Sequence, residues 1–239
     1  MASLYPHLIA AIGSSATDAA SYTTASWTPV SGRPSFIAVA SAFATAPNTP
    51  TATGTNGWNT TFTAVNNSVQ DGIKITVFRV VPVSSVAGTI TFDFSAQTQT
   101  GAAWIGIDVV NAVSSGFAVQ SATGAVDNAT SLTPTALAAF ASSFNGTLCF
   151  AACSGNLTTV RGSNTQGLML QIPVASSGVA EATGPAICAF FAPTEVSQPA
   201  VAVSGAGSDI VAVTIEVGHD GSGISAGSSN AAVPTFRVF

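Results

Sequence analysis

Hydrophobic and polar residues alternate clearly in several parts of the chain. In residues 89–95, Ile90, Phe92 and Phe94 occupy one face, and threonine, aspartate and serine occupy the other. A period of two residues is typical of a half-buried antiparallel strand. The pattern therefore predicts a strand here, with its aromatic face turned to a core.

The segment 209–217 alternates in the same way. Its branched apolar residues are expected to face inwards, and Thr214 and Glu216 to face outwards. The same reasoning places Asp93 and Asp108 at solvent-facing positions of their strands, because carboxylates are seldom buried without a partner. We therefore expect these carboxylates to be solvated.

Further strands are predicted where β-branched and aromatic residues run between clusters of glycine, proline, asparagine and serine. They lie at 8–12, 22–28, 35–43, 58–65, 73–81, 103–110, 147–153, 168–172, 186–191 and 200–204. The alanine-rich segment 134–144 favours a helix, although its place in the chain matches a strand of the repeat described next. Many short strands with such turns indicate an all-β sandwich or barrel.

The two halves of the chain resemble each other at a nearly constant offset of about 110 residues. Residues 35–41 align with 147–153, and 77–82 align with 188–193, so that two prolines coincide. Each half has about 100 residues, the size of one small sandwich. The sequence predicts an internal duplication that gives two tandem antiparallel β-sandwiches of jelly-roll or immunoglobulin-like type. It leaves open a single merged sandwich.

This repeat divides the chain into four parts. Residues 1–20 form an N-terminal segment with one strand, 21–116 the first sandwich and 117–217 the second. Residues 218–239 form a Gly/Ser-rich linker followed by a C-terminal tail. Each predicted sandwich contains enough large apolar residues for a core of its own.

The C-terminal part ends in Val-Pro-Thr-Phe-Arg-Val-Phe. Phe236, Arg237 and Phe239 are candidate partner-docking residues, because aromatic side chains after a polar linker are stabilised by packing on their own sandwich or on a neighbour. A frayed or self-packed terminus is the alternative interpretation.

Composition excludes several classes of function. Charged residues are 6% of the 239, five basic and ten acidic, with a net charge of -5 and 47% hydrophobic residues. Soluble domains usually contain about 25% charged residues. With one lysine, Lys74, and four arginines, the chain has no basic stripe for nucleic acid. Its apolar stretches are interrupted before they reach the roughly 20 residues of a membrane span. We expect neither nucleic acid nor a membrane as a partner.

The sequence contains no set of residues that indicates catalysis. His7 lies near the N-terminus and His219 in the glycine-rich tail, and no Gly-x-Ser-x-Gly elbow is present. The pair His219-Asp220 could bind a metal, but such pairs in linkers are usually solvated, and zinc-ligand spacing is absent. The acids do not cluster along the chain as a calcium loop requires. We predict no enzyme, and no catalytic, cofactor-binding or metal-binding residue.

The three cysteines are predicted to be thiols in the core. Cys149 and Cys153 lie about 13 Å apart along one strand, too far for a disulfide. Cys188 lies in a second apolar strand.

The first residues lack a basic n-region, and the apolar run 8–12 is shorter than a signal-peptide core. Free thiols and these first residues together predict synthesis in a cytoplasm.

Five segments carry a resemblance to a known group of proteins. They are Tyr22-Thr23-Thr24-Ala25-Ser26-Trp27-Thr28-Pro29, residues 35–40, Asn56-Gly57-Trp58, residues 75–82 and residues 88–92. Together they resemble the Ser/Thr/Ala-rich β-sandwich modules of tailed-bacteriophage virion proteins, which occur in capsid decoration (cement) proteins, head fibres and tail fibres. The resemblance covers about residues 5–217 and contains no catalytic motif.

The resemblance implies a virion structural protein, in the first place a decoration protein that stabilises the capsid by binding neighbouring subunits of the major capsid protein. It implies a homo-oligomer, for which three-fold assembly is common in this group, on the capsid surface after synthesis in the host cytoplasm. The alternative is a carbohydrate- or receptor-binding module of a phage fibre or a cell-surface protein. That alternative requires exposed aromatic residues, first of all Trp58 and Trp104.

Overall fold

The computed structural model describes residues 4–154, 156–161, 168–170, 185–204 and 208–221 of the chain. Regular structure in these residues is almost entirely β-strand, together with one 3-10 turn at Asn56–Trp58. The strands are β1 (Tyr5–Ser15), β2 (Ser21–Thr23), β3 (Ser35–Ala42), β4 (Thr51–Gly54), β5 (Thr63–Gln70), β6 (Ile73–Val80), β7 (Ile90–Asp93), β8 (Gly101–Val110), β9 (Ala118–Ala129), β10 (Ser131–Leu132), β11 (Gly146–Cys153), β12 (Asn156–Arg161), β13 (Leu168–Leu170), β14 (Ala186–Ala192), β15 (Ala200–Ser204) and β16 (Ser208–Val217). No helix in the described residues is long and apolar enough to cross a membrane.

The strands form four antiparallel sheets. The first half of the chain contains a large sheet in the order β1-β8-β3-β6-β5 and a small sheet in the order β2-β7-β4. The second half contains a large sheet in the order β9-β16-β11-β14-β13 and a small sheet in the order β10-β15-β12. Raising each strand number of the first half by eight gives the two sheets of the second half. The predicted all-β, sandwich-like class is confirmed.

The two large sheets pack against each other across a core that we call the central core. It combines residues of both halves, such as Phe36 and Ile107 from the first and Phe150 and Ile215 from the second. On its other face, each large sheet packs against the small sheet of its own half. These outer cores contain Trp58 and aromatic neighbours in the first half, and three cysteines with apolar neighbours in the second. The layers therefore run small, large, large, small.

Strand β3 shows how the sequence fits this layering. Phe36, Ala38 and Ala40 face the central core, whereas Ile37 and Val39 face the outer core. The strand is apolar on both faces because both faces are covered, which removes the alternation of a half-exposed strand. Continuous apolar runs along the chain therefore mark the middle strands of the large sheets.

The same layering corrects three predictions from the alternating pattern. Thr214 and Glu216 are 0% exposed and Asp108 is 3% exposed, so the prediction that they face solvent is wrong. The outward face of β16 is covered by its own half of the molecule, and Arg33 Nη1 lies 2.9 Å from Asp108 Oδ2. Asp93, on a strand of a small sheet, is exposed as predicted.

Several predicted elements have different bounds. The strand predicted at 58–65 is replaced by the 3-10 turn and by β5, which begins at Thr63. Strands β4, β9, β10 and β12 were not predicted, because they are short or consist mainly of residues that are small or polar. The strand predicted at 8–12 is β1, a longer edge strand that pairs with β8.

Neither of the two possibilities for 134–144 is correct, since these residues form neither the helix that their alanines favour nor the strand that the repeat suggests. Their amide groups bond to distant partners instead of to the preceding turn. Leu137 N donates to Ser197 O at 3.0 Å, and Ala138 N donates to Gln120 Oε1 at 3.0 Å. These bonds outweigh the helix propensity of alanine.

The three cysteines lie in the outer core of the second half, and no disulfide joins them, as predicted. Burial raises the pKa of the Cys149 thiol to about 12, although the hydroxyl of Thr214 donates to its sulfur. Burial also raises the pKa of Cys188. These two thiols therefore remain protonated and unreactive while the protein is folded.

Candidate functional site

The two halves meet at a seam where edge strands β5 and β9 lie side by side. Asn66 Nδ2 donates to Ser121 Oγ at 3.0 Å, and Ser68 Oγ donates to the carbonyl oxygen of Gly124 at 2.7 Å. These bonds tie an edge of one large sheet to an edge of the other. The seam is therefore a fixed junction between the halves.

A groove of about 480 Å³ opens along this seam. We call it the seam groove, and it is lined by Asn67, Ser68, Val69, Thr123, Gly124, Ala125, Leu132, Thr133 and Thr135. Its volume lies in the usual range of about 300–1,000 Å³ for ligand pockets. None of the lining side chains is charged, and Val69 is 41% exposed. Such a lining suits a neutral or apolar extended segment.

The segment after β10 closes one side of the groove. Thr135 N donates to the carbonyl oxygen of Thr123 at 3.0 Å. A Cβ at Gly124 would lie 2.7 Å from Pro134 Cα, a distance too short for any side chain. Glycine at this position is what allows the segment to approach β9 so closely.

Three carboxylates lie together beyond the groove, where β5 and β9 end near the start of β16. Asp71 follows β5 in a turn, Asp127 lies on β9, and Asp209 lies on β16. One oxygen from each lies within 4.8 Å of the others. We call these three residues the acidic cluster. This cluster could not be predicted from the sequence, because its members are far apart along the chain and meet only when β5, β9 and β16 assemble.

Burial and its neighbour Asp127 raise the pKa of Asp209, because both disfavour its charged form. Asn128 N donates to Asp209 Oδ1 at 3.4 Å and opposes this effect. Carboxylate oxygens are ligands that Ca²⁺ and Mg²⁺ accept. Among the described residues, the acidic cluster is the group that could hold such a cation, although exposed carboxylates are common without one.

A second carboxylate site is fully enclosed. Glu216 is 0% exposed and accepts hydrogen bonds from Gln120 Nε2 at 2.6 Å, Ala141 N at 2.9 Å and Asn145 Nδ2 at 2.6 Å. The donors of these three bonds are uncharged. Because Ala141 and Asn145 both bond to it, Glu216 holds the segment 134–145 against β16.

His219 lies next to this network. Its side chain is 3% exposed and packs beside Phe144, with 6.2 Å between ring centroids. The prediction that the His219-Asp220 pair is solvated is therefore wrong for the histidine. The amide of Gly221 donates to His219 Nδ1 at 2.8 Å, so this nitrogen is already occupied and cannot bind a metal.

Two loops at one end of the first half carry exposed valines. Val30 is 42% exposed, Val83 59% and Val86 55%. We call residues 29–33 and 82–87 the valine loops. Ser31 N donates to Ser85 Oγ at 3.0 Å, and Gly32 N donates to the carbonyl oxygen of Pro82 at 2.8 Å. The bonds between the loops hold their apolar side chains in place at the surface.

The remaining predicted site residues fall into two groups. Phe236, Arg237 and Phe239 lie outside the described residues. Trp58 is 0% exposed and Trp104 is 6% exposed, so neither provides a surface for stacking against a sugar.

These observations define an all-β, sandwich-like protein with apolar surface loops, a neutral groove and an acidic cluster at its seam. Comparison of the chain with protein families, with curated proteins and with solved structures gives no match.

Proposed function

We propose that the chain is a structural protein of a tailed-bacteriophage virion, namely a capsid decoration protein that binds neighbouring subunits of the major capsid protein. The observation that carries this proposal is the pair of valine loops. They present exposed apolar side chains in a chain that has very few charges. The resemblance of the sequence to virion β-sandwich modules supports the same function.

The geometry of the valine loops suits binding to another protein. The core of a protein interface is depleted in charge. Hydrogen bonds between the two loops, including Ser31 Oγ to the carbonyl oxygen of Val83 at 3.2 Å, already order them. A surface that is ordered before binding loses less conformational entropy when a partner docks. The valine loops are thus proposed as the centre of the capsid contact.

A complete interface requires more surface than these loops supply. Specific complexes usually bury about 1,200–2,000 Å² in total. We propose that the polar, uncharged surface around the loops forms the rest of the contact and that the protein binds as a homo-oligomer on the capsid. Such a surface repels neighbouring copies only weakly, since charge repulsion between them is small.

We also propose that the two halves are tandem jelly-roll sandwiches that arose by internal duplication. Two features support this. The sheets of the second half follow the strand order of the first, and the described residues of each half form eight strands in two sheets, as a jelly roll does. An approximate two-fold repeat would place two similar surfaces on one chain, which suits contacts with two capsid subunits.

Binding to expanded capsids tests the proposed function. Replacing Val83 and Val86 together by aspartate should weaken binding about tenfold or more, because two charges would enter the apolar contact. The matched control is Val119→Asp, an exposed valine on β9 outside the loops. The proposal fails if the unaltered protein does not bind capsids. The role of the loops fails if the double variant binds as tightly as the control.

A further inference from the structure

We propose that the C-terminal tail, residues 222–239, docks in the seam groove of its own chain and places Arg237 at the acidic cluster. This contact would exist in the free protein and does not depend on capsid binding. It gives the three predicted docking residues, Phe236, Arg237 and Phe239, a defined site. It also assigns an occupant to the seam groove.

The described chain ends at the correct side of the molecule for this contact. Gly218 N donates to the carbonyl oxygen of Phe117 at 2.9 Å, which fixes the end of β16 beside the start of β9. A Cβ at Gly218 would lie 3.2 Å from a methyl group of Val119. Asp220 N donates to the carbonyl oxygen of Asn111 at 2.8 Å, so the described chain continues past the end of β16, and the tail must turn back to run along β9.

The tail is long enough to reach the acidic cluster. From Ala118 to Asp127 the strand β9 advances about 30 Å, at about 3.3 Å per residue. Residues 222–237 can span up to about 55 Å when extended. The tail can thus follow β9 with length to spare, and the glycines and serines of 222–229 allow the turn that this path requires.

Charge complementarity favours the position of Arg237. It is the sole charged side chain in residues 222–239. The ion pairs described in the structure involve Asp108 and Asp220, and none of them involves the acidic cluster. An arginine there would form hydrogen bonds to carboxylate oxygens that otherwise repel each other.

The neighbours of Arg237 complement the groove. Phe236 and Phe239 are aromatic, and the groove lining next to the cluster includes the apolar side chains of Val69, Ala125 and Leu132. Packing an aromatic side chain against such residues is favourable because it removes apolar surface from water. The neutral groove, with Val69 and Ala125 beside the acids, thus suits an aromatic residue that directly precedes an arginine, as Phe236 does.

A tethered tail favours its own groove over that of a second copy. A short flexible linker gives an effective concentration in the millimolar range. At the micromolar concentrations used in solution, the groove of another molecule competes poorly. The occupant to which this proposal commits is therefore the tail of the same chain.

Disulfide trapping in the full chain tests this contact. One introduced cysteine would replace Ala125, an exposed groove residue two positions before Asp127, and the other would replace Thr235, two positions before Arg237. The native thiols are buried and should not interfere. The matched control pairs Thr235→Cys with Thr53→Cys, an exposed position on β4. The groove pair should form an intrachain disulfide about tenfold faster than the control pair or more.

Reversing the charges of Arg237 and Asp127 tests whether these two residues attract each other, which disulfide trapping alone does not show. In the groove pair, Arg237→Glu should slow trapping about fivefold or more, and adding Asp127→Lys should restore most of the rate. Glu195→Lys, at an exposed acid outside the cluster, should change nothing. If Ala125→Cys prevents folding, Asn67→Cys on the opposite wall replaces it.

Three results would overturn the proposal. The first is trapping at equal rates in the groove and control pairs. The second is a disulfide between two chains, seen as a product of twice the mass, which would identify a second copy as the occupant. The third is a rate that Arg237→Glu leaves unchanged. None of these results bears on capsid binding through the valine loops, so the two proposals can fail separately.

Discussion

At the scale of single residues, the acids show what the sequence could and could not predict. The alternating pattern predicts that Asp93, Asp108 and Glu216 face solvent, and of these three Asp93 is exposed. Asp108 and Glu216 are buried because residues from remote segments pair with their carboxylates. Asp108 pairs with Arg33, and Glu216 accepts hydrogen bonds from Gln120 and Asn145. A local pattern cannot reveal partners that only the fold brings near.

Asp209 leads to a prediction of pH dependence. Its pKa is raised in the folded protein above the ordinary 3.8, so between the two pKa values the folded state binds more protons than the unfolded state. Its contribution to the free energy of unfolding is therefore present below the ordinary pKa and is lost as the pH rises through the raised pKa. We therefore expect the stability of Asp209→Asn, relative to that of the unaltered protein, to increase as the pH rises from about 4 to about 7.

Urea midpoints measured at both pH values would check this. Asparagine keeps an oxygen that can accept from Asn128 N, so the variant removes the charge and preserves the local bond. Glu195→Gln, at an exposed acid outside the cluster, is the matched control and should show no such change. A difference between Asp209→Asn and the unaltered protein that stays constant with pH would contradict the prediction.

At the scale of elements, prediction succeeded where residues are apolar and failed where they are small and polar. The middle strands β3, β6, β11, β14 and β16 lie close to their predicted places, because sheets covered on both faces require long apolar runs. Strand β9 was missed because its residues are mainly alanine, serine, threonine and asparagine, and pairing with β16 makes it a strand. The seam groove was missed for the same reason, since β9 forms one of its walls.

The segment 134–145 leads to a second prediction. Glu216 Oε1 accepts from Ala141 N and Asn145 Nδ2, and Oε2 accepts from Gln120 Nε2, so Glu216→Leu would remove both acceptor oxygens and deprive all three donors of this partner. Each unsatisfied buried group costs about 1–3 kcal/mol. We expect this variant to lose about 1–3 kcal/mol of stability and to speed up hydrogen exchange at the Ala141 amide.

Thr214→Val is the matched control for that variant. It lies on the same strand, is equally buried, and loses only a bond of 3.6 Å from its hydroxyl to the sulfur of Cys149. Hydrogen exchange at Ala141 should be unchanged in the control. Equal exchange in both variants would show that Glu216 does not hold the segment.

At the scale of the whole molecule, the central core determines whether the two halves unfold together or separately. The sequence predicted two sandwiches, each with a core of its own, and left open a single merged sandwich. Each of the two outer cores takes its residues from one half of the chain. The largest cluster, however, takes residues from both halves, including Phe36 from the first and Phe150 from the second. Which face of a strand packs on the other half cannot be read from a run that is apolar on both faces.

The chain supplies a separate natural probe for each half. All three tryptophans, Trp27, Trp58 and Trp104, lie in the first half. All three cysteines lie in the second half and are buried. Tryptophan fluorescence therefore follows unfolding of the first half, and the reaction of thiols with a reagent follows unfolding of the second.

The shared core predicts that both probes change at the same urea concentration, because neither large sheet can keep its inner face buried alone. Phe150→Ala, which is 0% exposed in the central core, should lower both midpoints together, by about 3–5 kcal/mol in stability. Phe144→Ala, at a residue 37% exposed, is the control and should shift both only slightly. If Phe150→Ala lowered the thiol midpoint and left the fluorescence midpoint in place, the halves would be independent sandwiches. Coincident shifts would instead mean that one cooperative unit stabilises both the valine loops and the seam.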